Sequence, residues 1–162
     1  MKPVLRSFAR GDREGLVAAI NTVCGEGRWL STRQFEPTPA WLHALQTPDC
    51  PRHHLLVVED GGRIVGWCRL FPASCTEEAA EAELGIGLLP SYRDMGLGTE
   101  LVHRMLDWAR KAGLQQVRIF TRADNHRAIH VFTGCGFRTS QVSGTHIEMV
   151  CPLNEHASKE PA

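Results

Sequence analysis

Arg93-Asp94-Met95-Gly96-Leu97-Gly98-Thr99 lies between an apolar strand pattern and an amphipathic helix pattern. Upstream, Ala82-Glu83-Leu84-Gly85-Ile86-Gly87-Leu88-Leu89 is a short apolar run ended by Pro90; downstream, Leu101, Val102, Met105, Leu106 and Ala109 mark one helical face. In such a strand–loop–helix unit, Gly96 and Gly98 let the backbone turn tightly and aim several N–H donors at one anion. The helix that follows adds the positive end of its dipole. The R-x-x-G-x-G run therefore describes a pyrophosphate cradle. An ordinary glycine-rich turn into a helix is the bland alternative, because short glycine patterns recur by chance.

The flanks exclude the two commonest nucleotide sites. A dinucleotide fingerprint has three glycines directly after its strand and an acidic residue at the end of a second strand, whereas here Val117-Arg118-Ile119-Phe120 ends in Thr121-Arg122. No Gly-Lys-Ser/Thr follows the glycines, so the run is not a phosphate-binding loop of the NTPase kind. A second block, Asn125-His126-Arg127-Ala128-Ile129-His130-Val131-Phe132 running on to Gly136-Phe137, completes the pattern. Together the two blocks make the chain resemble the GNAT superfamily of acetyl-CoA-dependent N-acetyltransferases, over most of its length.

That resemblance implies acetyl-CoA as co-substrate, with its pyrophosphate on the amides of Met95, Gly96, Leu97, Gly98 and Thr99 and with Arg93 and Asp94 in the same loop. It implies that Ile86, Gly87 and Leu88 run beside the pantetheine as an added strand, a backbone N–H near Leu88 polarising the thioester carbonyl. It assigns Asn125 and Phe132 to the pantetheine and thiol end. Asn125 is equally suited to cap the helix that follows it.

Chemistry narrows the remaining roles. An alkylammonium, with a pKa near 10.4 for a lysine-like amine, has no lone pair and needs a base. Glu83 is the candidate: its offset resembles that of the glutamate base in histone-type members, and alternation puts Glu81 and Glu83 on one strand face with Leu84, Ile86 and Leu88 on the other. Members that acetylate ribosomal N-termini carry a glutamate where this chain has Phe120, and many members carry a tyrosine acid where it has Phe132. Tyr92, the single tyrosine, sits in the loop before the cradle. The thiolate then leaves unassisted, through water or with help from another group; a chain that binds acetyl-CoA as a sensor with little turnover is the alternative. Glu26 and Trp29, in a glycine-rich early loop, are candidate acceptor contacts, and the acidic run Glu77, Glu78, Glu81 could attract a cationic amine.

Composition bounds these readings. With 162 residues the chain suits one domain, residues 1–153, followed by a polar tail, 154–162. Eighteen basic and 18 acidic residues balance, which argues against nucleic acid or a membrane surface as partner. No apolar run approaches the roughly 20 residues of a membrane span, and a cytoplasmic location is expected. Six cysteines lack C-x-x-C spacing, so reduced thiols and no metal are expected; His53-His54 and His126/His130 are the only close histidine sets.

The expected architecture is α/β: a single-domain GNAT-like fold with a mixed, twisted sheet of about six to seven strands and about four helices. Strands are read at Val4–Phe8, His54–Glu59, Arg63–Leu70, the Glu83 run, Val117–Phe120, Phe137–Val142 and Thr145–Val150. Asp12 is a plausible N-cap, Pro39 to Leu45 a short helix, and Asp60-Gly61-Gly62 the turn of the clearest hairpin. Dimerisation is common in that family, and nothing in the sequence decides it.

Overall fold

A computed structural model describes residues 2–28, 33–72 and 80–153. Seven strands form one mixed sheet: β1 (Val4–Ser7), β2 (His54–Asp60), β3 (Arg63–Pro72), β4 (Glu81–Leu88), β5 (Gln116–Arg122), β6 (Arg138–Ser143) and β7 (His146–Pro152). Their order is β1-β2-β3-β4-β5-β7-β6. Every neighbouring pair is antiparallel except β4 with β5, the one parallel pair. That pair needs a crossover, which α3 (Leu97–Lys111) supplies. The remaining helices are α1 (Arg13–Gly25), α2 (Pro39–Gln46) and α4 (His126–Gly134).

Local chemistry sets the helix boundaries. Thr38 accepts the amide of Trp41 in front of α2, whose first residue is a proline, and Asn125 accepts the amide of Ala128 in front of α4. Asp12 precedes α1, but its carboxylate does not cap it. It takes two bonds from the Arg6 guanidinium, at 2.7 and 2.9 Å, and the amide of Ala9 at 2.8 Å, and these hold its pKa below the ordinary carboxylate range. β2, β3 and β5 run one or two residues beyond the expected ends, because cross-strand hydrogen bonds hold positions that apolar alternation does not mark, whereas β1 stops one residue short, at Ser7, and β6 and β7 start and end later than expected.

Two layers of helix cover the sheet. On one face Trp41 and His43 of α2 meet Phe71 and His53, and α1 lies along β3 and β4. On the other, α3 crosses β2, β3 and β4, and its Trp108 stacks on His54 at 4.9 Å. Leu16, Val57, Leu70, Leu84, Leu101, Met105 and Met149 are fully buried between these layers. The five described cysteines other than Cys75, which lies outside the described residues, carry no disulfide. Among the described residues no helix is long and apolar enough to cross a membrane.

Candidate active site

β4 and β5 pair over three residues, Glu81–Gln116, Ala82–Val117 and Glu83–Arg118, and then part. Beyond Glu83 the β4 edge from Leu84 to Leu88 faces no strand, while β5 turns away to pair with β7 along its whole length. Backbone direction identifies the open donors. The Leu89 amide bonds to Val65 in β3, so the N–H and C=O of Leu88 project to the opposite edge, into the gap, and those of Ile86 lie on the same edge.

A cavity of about 310 Å³ occupies this gap. Ile86, Gly87 and Leu88 line one wall, Ile119 to Arg122 the other, with Asn125 and Phe132 of α4 behind. A second cavity, about 470 Å³, adjoins it on the α2 side between Trp41, Phe71, Glu81 and Arg118. Arg69, Glu83 and Phe120 belong to both. Glu83 is half-exposed there and accepts from the Arg69 guanidinium at 3.2 Å, while Arg69 also bonds the Glu83 carbonyl and lies 4.8 Å over Phe71.

Two glycines make this arrangement sterically possible. Gly87 pairs with Trp67 and Gly85 with Arg69 across the β3–β4 register. A Cβ on Gly87 would sit 2.3 Å from the Trp67 indole, and one on Gly85 would sit 2.5 Å from Arg69 Nε. The Gly-x-Gly spacing in β4 thus lets two large side chains lie flat across the strand beside the gap.

The cradle adjoins the open end of β4. Asp94 and Gly96 both have positive φ, 61° and 86°, and α3 begins at Leu97 without a side-chain cap. The first helical bond runs from Glu100 N to Gly96 O, leaving the amides of Leu97, Gly98 and Thr99 without intrahelical acceptors. Gly98 and Arg93 border the cavity; Met95 is exposed, and Asp94 reaches the rim through an ion pair with Arg127 at 3.0 Å. The Arg93 guanidinium donates to the Leu88 carbonyl at 3.0 Å and grips Glu26 in a two-pronged pair at 3.0 and 2.7 Å. It braces the cradle against β4 and the end of α1.

The expected site residues therefore converge unevenly. Glu83, Ile86, Gly87, Leu88, Arg93, Gly98, Asn125 and Phe132 line the gap. Glu26 lines neither cavity, and Trp29, Glu77 and Glu78 lie outside the described residues. Asn125 caps α4 through its side-chain oxygen and still borders the cavity, its amide nitrogen 3.5 Å from Thr121 Oγ1. The Tyr92 hydroxyl is bound to Asp60, and Phe132 is buried against Phe137. Sequence reasoning passed over Arg69, Thr121, Arg127 and His146, which also line the gap. Arg69 stands opposite Gly85 in the β3–β4 register, which no tight turn in the sequence signals.

A family model described as acetyltransferase (GNAT) matches residues 20–137. The chain belongs to the GNAT acetyltransferase family. Among its relatives, a mycothiol acetyltransferase of Sanguibacter keddieii is 34% identical over 94% of this chain and 48% of that protein. One of Pseudarthrobacter chlorophenolicus is 29% identical over 82% of this chain and 42% of that protein. The GNAT chain described here thus spans about half the length of these curated relatives. Its fold matches a GNAT-family acetyltransferase of Streptococcus pneumoniae, with a TM-score of 0.82 at 18% identity over 94% of this chain and 100% of that one. It also matches a GNAT-superfamily phosphinothricin acetyltransferase of Sinorhizobium meliloti, solved in complex with acetyl-CoA. There the TM-score is 0.76 at 16% identity, over 100% of this chain and 94% of that one.

Proposed function

We propose that this chain transfers the acetyl group of acetyl-CoA to a small primary amine, by direct attack in a ternary complex. The observation that carries the reading is the parting of β4 from β5 beyond Glu83, with two cavities meeting at Arg69, Glu83 and Phe120. Acetyl-CoA bound by a structural neighbour, and the acetyltransferase names of the relatives, support the same co-substrate here.

In this reading the pantetheine arm pairs with the free edge of β4 at Ile86 and Leu88, and the pyrophosphate takes the uncapped amides at the start of α3. Arg93 is a positioning residue, holding the cradle to β4 and Glu26. The acceptor enters the cavity beside Trp41 and Phe71, a volume within the range of small-ligand sites. Glu83, directly or through a water, takes the ammonium proton; the amine nitrogen bonds to the acetyl carbon while the Leu88 N–H stabilises the developing oxyanion. The C–S bond then breaks, and a thiolate whose conjugate acid has a pKa of about 8.5 takes a proton from solvent.

Thiol release from acetyl-CoA against amino acids, polyamines, aminoglycosides, basic peptides and mycothiol lacking its acetyl group tests the proposal, with calorimetric binding of acetyl-CoA in parallel. Turnover confined to one small-amine class is the expected result. Turnover with peptides alone overturns the acceptor, and no binding of acetyl-CoA overturns the whole reading.

A further inference from the structure

A cluster with no part in either cavity brings together His43, Cys50 and His53. His43 lies in the last turn of α2, and Thr47 N–H bonds its carbonyl. The next turn closes with Cys50 N–H on the Thr47 carbonyl, which folds the chain back under the helix end. His53 follows three residues later, just before β2, and its ring meets that of His43 edge-on at 5.3 Å. One donor atom from each of the three residues lies within 4.8 Å of the others.

Hydrogen bonding leaves this cluster unexplained. His53 is 2% exposed, and neither of its ring nitrogens has a hydrogen-bond partner among the described residues. Nε2 of His43 is buried and unpartnered too. Buried ring nitrogens left without partners beside a thiol are costly in a folded protein unless something binds them.

The geometry points to a divalent zinc site formed by His43, Cys50 and His53, with a fourth position left for water. One thiolate and two imidazoles are a donor set that zinc accepts and that calcium and magnesium refuse. Tetrahedral zinc, with bonds of about 2.0 Å to nitrogen and 2.3 Å to sulfur, spaces its donors about 3.3–3.6 Å apart. Closing from the present spacing, within 4.8 Å, to that one asks the donors to draw together by about 1 Å. Binding releases the thiol proton to solvent, and no redox step is involved. The metal would staple the end of α2 to the start of β2. His53 also touches Phe71, 6.3 Å between centroids, which in turn packs on Trp41. The site does not depend on the acetyl-transfer reading.

Full-length protein stripped with a chelator and titrated with Zn²⁺ against a chromophoric competitor is expected to bind one ion per chain. Co²⁺ in its place is expected to give tetrahedral visible bands and a thiolate-to-cobalt charge-transfer band. Cys50→Ser removes that band, and His43→Gln weakens Zn²⁺ binding at least tenfold. Zn²⁺ raises the melting temperature of the wild type and not of Cys50→Ser. Absence of Zn²⁺ binding, or a charge-transfer band of full strength in Cys50→Ser, overturns the site, since other thiols would then be the ligands. X-ray absorption of the zinc-loaded wild type needs no variant: one sulfur and two imidazole nitrogens support the assignment, and an all-oxygen shell overturns it.

Discussion

Gly87→Ala is the sharpest test of how the gap is built. The new Cβ would lie 2.3, 2.5 and 2.8 Å from three carbons of the Trp67 ring, where comfortable carbon contacts begin near about 3.5 Å. Either the indole or β4 must therefore shift by about 1 Å. Trp67 is 3% exposed within the core and has no free direction, so the strain falls in the range of overpacking, about 1–3 kcal/mol. With a urea slope of about 2 kcal/mol/M, the unfolding midpoint drops by about 0.5–1.5 M at unchanged slope. Gly85→Ala is the contrast: its Cβ meets the far end of Arg69, which can swing away, so less than about 1 kcal/mol of stability is lost while the pair with Glu83 breaks. In a double-mutant cycle Trp67→Phe relieves Gly87→Ala, with a coupling of at least about 1 kcal/mol. An unchanged midpoint for Gly87→Ala, or strict additivity with Trp67→Phe, would refute the reasoning.

Glu83→Gln is expected to lower kcat by about 10²- to 10⁴-fold with little change in acetyl-CoA affinity, and to remove the base-dependent limb of the pH profile; an unaltered profile would exclude Glu83 as the base. Asn125→Ala removes the α4 cap and costs about 0.5–2 kcal/mol in urea unfolding. If calorimetry also finds weaker acetyl-CoA binding beyond that of an equally destabilised variant, Asn125 contacts the cofactor as well as the helix. Asp12→Asn tests the Arg6 pair. Because Arg6 depresses the Asp12 pKa, its stabilisation is complete above the ordinary value of 3.8 and is lost as pH falls through the lower native value. The wild type should exceed the variant by about 1–2 kcal/mol at pH 7 and converge on it in strong acid; a gap that persists there would contradict the pairing.

Much of this molecule is written locally in its chain. The helical face from Leu101 to Ala109, the Asp60-Gly61-Gly62 turn, the caps at Thr38 and Asn125 and the left-handed Gly96 each depend on residues within a few positions of one another. Periodicity, backbone sterics and short-range hydrogen bonds decide such features, so the cradle, the order of the elements and Glu83 as a strand residue were legible. Asp12 was misread as a side-chain cap because its preferred partner, Arg6, reaches it across the end of β1.

What remained hidden depends on which distant segments meet. Where β4 parts from β5, β5 continues to pair with β7 along its other edge, a contact between residues some thirty positions apart in the chain that periodicity cannot register. The commitment of Arg93 to Glu26 closes a gap of 67 positions, and the junction of Arg69, Glu83 and Phe120 draws on three strands. His43, Cys50 and His53 are close in sequence, yet their convergence required His53 to be buried against His43 and Phe71. Local sequence determined the shapes and chemical groups of the parts. Burial and long-range strand pairing, which act only once the sheet is assembled, decided which of those groups face the gap and which are left without partners.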